Sequence, residues 1–438
     1  MGALTTAMLS VARTRKAMFG LTGAFLIQGA LAVSWLPRIP EIIDHLNVQF
    51  ATWGLIVGVA GLGSLVPLTF TNTLINRFGT RPLMQLSLLV SAACIGVLGF
   101  ITNPWIFFAV VFTQNLGFGI YNLAINSHSV VFQNRIGRVV LGRFHAAWSL
   151  GAAGSSLLTG LFAAVVSLEH YLAVVAAIVV VLMFVSTSQM LGPSQDGHEQ
   201  EKDRAEPIPL RKTPRKVVIL AFGLFFAVMP EATMMDWGAV FGKRVMELPV
   251  ALQGLPYTIF VVSMIVSRLS IGRLTKRHHL SRIAQVASVM GAIGVSLAAV
   301  LGTIFGGMNP VLALALTALF WAATGLGSGP QVPAIFSVAG SVPGMTTAQV
   351  MSRMSLANST LILLIKIVMG AMAQGIGVPS VFVISVISFL GAGLVARYVL
   401  KLAKEEKPKP AATEDEQLAD AFPVTSPLMV IPEQPQER

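Results

Sequence analysis

Gln195 to Lys216 reads QDGHEQEKDRAEPIPLRKTPRK. The run mixes both signs of charge with three prolines and shows no apolar periodicity, so it reads as a linker. It interrupts a chain that is 54% hydrophobic and only 11% charged, with a mean hydropathy of +0.75. A soluble domain carries roughly 25% charged residues, so most of this chain faces lipid. Six apolar segments precede the linker, near 17–36, 53–75, 83–101, 105–127, 144–166 and 170–190. Six follow it, near 217–238, 251–272, 283–305, 310–337, 350–374 and 378–398. Their lengths fit a hydrocarbon core of about 30 Å at about 1.5 Å per residue. Backbone polar groups in lipid need partners within their own segment, which predicts helices throughout.

This divides the 438 residues into an N-terminal six-helix bundle (1–191), a linker (192–216), a C-terminal six-helix bundle (217–400) and a tail (401–438) with the composition of a disordered segment. The fold class is all-α membrane protein, two pseudo-symmetric six-helix bundles. A shift of 200 residues supports the symmetry: Gly54-Leu55 falls on Gly254-Leu255, Val66 on Val266, Leu74 on Leu274 and Arg77 on Arg277.

Charge fixes an expected orientation. With the N-terminus in the cytoplasm, inside segments hold 24 of the 30 Lys and Arg, and outside segments hold only Arg38, Lys243 and Arg244; Arg268, Lys366 and Arg397 lie within or at the ends of spans. Cytoplasmic loops collect such charge, so both termini are expected on the cytoplasmic side of the membrane. The same bias accounts for the net charge of +11 without nucleic acid. After Arg13, Arg15 and Lys16 the apolar run is too long for a cleavable signal and reads as the first span. The single cysteine, Cys94, supports neither a disulfide framework nor a multi-cysteine metal site. There is no P-loop, no H-E-x-x-H and no G-x-S-x-G, so neither an enzyme nor a cofactor is expected.

After the second span stands Asn72-Thr-Leu-Ile-Asn76-Arg77-Phe78-Gly79-Thr80-Arg81. It resembles the loop G-x-L-x-D-R-x-G-x-R of the major facilitator superfamily, with Arg77, Gly79 and Arg81 matching and Asn72 and Asn76 in place of the Gly and Asp. The resemblance extends over about residues 15–400 and is nearest to bacterial permeases distantly similar to sugar permeases. It is carried by Trp35-Leu-Pro37-Arg38-Ile-Pro40, Asn122-x-x-x-Asn126, His145-x-x-Trp148-Ser149-x-Gly151-x-x-Gly154 and Glu231-x-x-x-x-Asp236-Trp237. It implies a cytoplasmic gate at Asn76, Arg77, Gly79 and Arg81, with Asn76 able to cap a helix but carrying no charge. The bland alternative is a basic turn that fixes topology. The fifth span reads Gly151-Ala-Ala-Gly154-Ser-Ser without the Gly-Pro of the superfamily's drug antiporters, which weighs against efflux.

Charge inside spans marks function, because lipid disfavours it. Spans three, six and nine carry none, and span twelve only Arg397 at its end. The intramembrane charges fall on spans seven (Glu231, Asp236), eight (Arg268) and eleven (Lys366). Glu231 lies roughly 21 Å into its span, after Pro230, which should kink the helix and free backbone groups where transporters place their sites. An acid in so poor a medium for charge suits proton loading. Lys366, at similar depth, either pairs with Glu231 in one transport state or snorkels. Asp236 reads as a rim or gate residue, and Arg268 faces either substrate or the signature loop. Asn122 and Asn126 share a helix face and serve either a solute or helix packing. His145 is either a relay or an interfacial residue. Trp35 and Trp237 fit the interfacial belt, while Trp148 and Trp321 are cavity candidates. Gln28 and Gln331 complete a polar set that fits a sugar, a sugar acid or an amino-acid-like zwitterion.

The expectation is a monomeric, proton-coupled secondary transporter of a small polar solute, working by alternating access within the bilayer. Efflux of amphiphilic compounds is the rival within the class, and a solute receptor built on a transporter fold is the rival outside it.

Overall fold

The computed structural model describes residues 10–137, 140–192, 213–338, Val342, Met345 and 347–405. Most of the linker, the tail beyond Glu405 and Arg138 of the basic loops lie outside the described residues. The chain is helical: α1 (Val11–Val33), α2 (Ile39–His45), α3 (Phe50–Ala60), α4 (Thr71–Phe78), α5 (Thr80–Val97), α6 (Pro104–Ile136), α7 (Leu141–Phe162) and α8 (Leu168–Gln189) in the first half. In the second half are α9 (Arg215–Arg244), α10 (Leu255–Leu274), α11 (Leu280–Phe305), α12 (Pro310–Ser328), α13 (Gln331–Phe336), α14 (Thr347–Gly375) and α15 (Phe382–Glu405). Eleven helical stretches among the described residues are long and apolar enough to cross a membrane. The twelfth helix of that order is α7, 22 residues long; its Gly, Ser and His content keeps it below that threshold.

Each half packs around its own helices. In the first, α1 lies on α7 and α8, and α5 lies on α6 and α8. In the second, α11 lies on α12 and α15, and α10 on α12. The repeat is visible in the caps. Asn103 accepts from the backbone N–H of Trp105 and Ile106 to start α6, and Asn309 accepts from Leu312 to start α12, each followed by Pro at the first turn. These are the fourth span of each half.

Two expected helices differ in continuity. The second span is broken: α3 ends at Ala60, two 3-10 turns run Gly61–Ser64 and Val66–Thr69, and α4 follows. Gly61, Gly63 and Pro67 explain the break, since glycine loosens a helix and proline withholds a donor. By contrast α9 runs unbroken from Arg215 to Arg244 with Pro230 inside it. Proline leaves the Phe226 carbonyl without its usual helical donor. The last helix, α15, continues through Lys401 to Glu405, past residue 400.

Among the described residues the halves meet at α3 with α14, at α7 with α10 and the turn before it, and at the α1–α2 corner with α9 and the start of α10. The two glycines related by the repeat both lie at these contacts. A methyl added at Gly54 would lie 2.7 Å from Gly370 Cα, and one added at Gly254 would lie 2.8 Å from Pro37 Cβ.

Candidate functional site

Helix α9 brings two acids to the middle of the molecule. Its midpoint falls beside Pro230, so Glu231 is central and Asp236 lies about 7.5 Å further toward Arg244. Each meets a different cation. Arg268 of α10 places Nη2 3.5 Å from Glu231 Oε2. Lys366 of α14 places Nζ 2.9 Å from one Asp236 oxygen and 3.1 Å from the other. Both pairs are within the second half and largely sheltered. In this conformation Lys366 pairs with Asp236 and not with Glu231, and Asp236 is buried, 9% exposed, rather than at an open rim. Tyr257, near the start of α10, is buried, and its hydroxyl has no partner among the described residues.

The Asp236–Lys366 pair lines a cavity of about 220 Å³ at the seam of the halves. Trp35 of the α1–α2 corner, Trp53 of α3 and Gln114 and Asn115 of α6 line its other walls, with Gly61 at the break in the second span. Trp35 and Trp53 meet edge to face, 6.3 Å between centroids, and both pack on Phe107. The indole Nε1 of Trp53 is buried without a partner among the described residues. The Asn115 amide donates to the Val111 carbonyl at 2.9 Å.

One end of the seam is shut. Beyond the cavity, Phe50 N–H donates to Gln374 Oε1 at 3.1 Å, joining α3 to α14. Asp44 of α2 pairs with Lys243 at 2.5 Å and with Arg244, joining α2 to α9. Arg38 binds Glu41 through two bonds and donates to the Val166 carbonyl, which pins the α1–α2 corner to the end of α7. Midway, the Ser156 and Thr258 hydroxyls share a hydrogen bond of 3.0 Å between α7 and α10. The opposite end carries the signature loop. Gly79 takes φ +79°, open to glycine at little strain, and its N–H caps α4 on the Ile75 carbonyl. Arg77 lies over the Phe78 ring, and among the described residues Asn76, Arg77 and Arg81 have no partner in the other half.

The remaining sequence candidates divide. His145 of α7 packs edge to face on Phe25. Trp148 is half-buried beside it on α7. Asn126 donates to Asn122, through its carbonyl at 2.7 Å, on an exposed face of α6. Three expectations are corrected. Trp321 is fully buried between Phe241 and Phe382 inside the second half, not in the cavity. Gln331 is buried too, donating to the Ala284 and Gly327 carbonyls and so tying α13 to α11 and α12. Trp35 and Trp237 are 8% and 2% exposed and belong to the seam rather than a lipid-facing belt; Trp237 stacks edge-on against Phe50 of the other half. Gln28 is buried in α1 with its Oε1 unpartnered among the described residues. Sequence reading missed Trp53, Gln114, Asn115 and Tyr257.

The sequence model of the Major Facilitator Superfamily matches residues 17–321. An uncharacterized MFS-type transporter of Yersinia pestis is 25% identical over 324 residues, covering 72% of this chain and 78% of that protein. An uncharacterized transporter of Sinorhizobium fredii is 27% identical over 293 residues, covering 64% and 73%. Among solved structures, a point mutant of the nucleoside transporter NupG superposes with a TM-score of 0.70 at 14% identity, over 87% of this chain and 98% of that one. An inward-facing, unoccupied bacterial homolog of the lysosomal transporter Spinster gives 0.68 at 13% identity, over 92% and 100%. At such identities the likeness concerns the fold. Two helical halves around a charged cavity, together with these relatives, define a polytopic membrane transporter. The chain belongs to the Major Facilitator Superfamily.

Proposed function

We propose that this protein is a monomeric secondary active transporter that moves a small polar solute across the plasma membrane of a bacterium by alternating access, with protons as the coupling ion. The observation that carries the reading is the asymmetry of the seam. The cavity is sealed toward Asp44 by contacts between the halves, while the Arg77 loop at the opposite end has no partner from the other half among the described residues. Basic loops mark the Arg77 end as cytoplasmic, so both termini face the cytoplasm and this conformation is the inward-facing one. Reversal would part α3 from α14 and bring the Arg77 loop onto the second half.

Glu231 is the proposed proton carrier. Protonation would weaken its hold on Arg268 of α10, the helix that packs on α7. That gives the proton a lever on the α7–α10 contact. Solutes found by thermal shift of the purified protein are then tested for uptake into proteoliposomes with an imposed proton gradient. Wild-type protein should accumulate the solute, and Glu231→Gln should bind it but lose the response to the gradient. Full gradient-driven uptake by Glu231→Gln would remove the proton from Glu231. Binding without flux in the wild type would make the protein a receptor.

A further inference from the structure

We propose that the cavity beside Asp236 and Lys366 takes a small zwitterion, a solute carrying one carboxylate and one ammonium, and that this solute opens the ion pair by replacing both of its members at once. The inference rests on reading that cavity as the solute site. Its walls hold one fixed cation and one fixed anion, which already satisfy each other at 2.9 Å. A carboxylate alone would draw Lys366 away and strand Asp236, which is 9% exposed. An ammonium alone would strand Lys366. A stranded partner of a buried pair weakens binding by about 30-fold or more. A zwitterion strands neither, since its carboxylate takes Lys366 and its ammonium takes Asp236, and the charge of the cavity stays at zero throughout.

Trp35 lines the same cavity, and an indole attracts ammonium groups. Size agrees as well. The cavity of about 220 Å³ has room for a small solute.

Full-length protein in nanodiscs is titrated with serine, proline and valine, with the carboxamide and the 2-hydroxy acid of each, and with glucose, and the melting temperature is read. At least one amino acid should stabilise the wild type, with its amide and hydroxy acid about 30-fold or more weaker. Asp236→Asn should lose the amino acid and gain the hydroxy acid, because Lys366 is then unpaired. The neutral pair Asp236→Asn with Lys366→Gln, which leaves no stranded charge in the fold, should lose both. Equal binding of hydroxy acid and amino acid by the wild type, binding of glucose that survives the double variant, or no response to any of the three amino acids overturns the proposal. Proton-driven uptake of glucose or a hydroxy acid would do so while leaving the transporter reading intact. An amino-acid shift without flux would leave the binding inference and remove the transporter reading.

Discussion

Gly54→Ala should push the protein out of the observed conformation. The added methyl would lie 2.7 Å from Gly370 Cα and 2.7 Å from the Lys366 carbonyl oxygen, where ordinary contact begins at 3.4 Å. Helices α3 and α14 must therefore separate by about 0.7 Å, and both obstacles are backbone, which cannot turn aside. Overpacking of this kind costs about 1–3 kcal/mol. The strain falls only on the conformation in which α3 and α14 touch, while the helix propensity that alanine adds is common to both conformations and cancels. An equilibrium penalised by about 1–3 kcal/mol shifts about 5- to 150-fold. Spin labels at Gln49 and Ile376, both exposed at the sealed end, on a Cys94→Ser background would read the change as growth of the longer-distance population. Gly54→Val should shift it further. Gly375→Ala, on the same α14 but with nothing within 4 Å of the new methyl, should leave the distribution alone. Unchanged distances in both Gly54 variants, with unaltered melting temperature, would mean that the α3–α14 contact does not open, and the proposed gate at this end would be wrong.

Asp44→Asn removes the pairs to Lys243 and Arg244 at the same end; each exposed pair is worth about 0.2–1 kcal/mol, so the same labels should show a shift smaller than that of Gly54→Ala, and about 1 M salt should mimic it in the parent. A salt-insensitive distribution would deny the cluster a latching role. Gly79→Ala places a side chain at φ +79° and ψ 168°, a region essentially confined to glycine that costs about 1–3 kcal/mol, and should lower the melting temperature; no change would refute the turn assigned to the signature loop. Tyr257→Phe deletes a buried hydroxyl that has no partner among the described residues, so the melting temperature should hold or rise, and a clear fall would reveal a partner the geometry does not show.

The spans were legible because they rest on period and length, which survive errors of a few residues. Depth along a span was legible for the same reason, and it placed Glu231 correctly at mid-helix. Azimuth was not. Five residues separate Glu231 from Asp236, a turn of roughly 500°, so the two side chains leave α9 about 140° apart. One then meets α10 and the other α14, and nothing in the sequence says which neighbour stands on which side. Trp321 failed the same way: its depth suited a cavity, but its face turns into the core of its own half. Gln114 and Asn115 were within reach of the rule that drew attention to Asn122 and Asn126, that amides inside an apolar span need a reason. Trp53 carried no comparable signal, because an indole in a lipid-spanning helix is ordinary until its N–H is seen to lack an acceptor.

The two ion pairs of α9 bear on the energetics of coupling together. A proton crossing 100 mV supplies about 2.3 kcal/mol. Breaking a buried ion pair and leaving one member without a partner costs about 3–5 kcal/mol, more than that proton delivers. Neither pair can open in the transport cycle unless something replaces the lost partner in the same step. At Glu231 the replacement can be the proton itself, because neutralising the acid removes the charge that would be stranded, and Arg268 is 35% exposed and can turn to water. At Asp236 and Lys366, 12% and 22% exposed at the side chain, water is a poorer substitute for either partner. The pair there should stay closed until cargo arrives with groups for both, which ties opening of the α3–α14 seam, where Lys366 contributes the carbonyl that Gly54 touches, to the loaded state of the cavity.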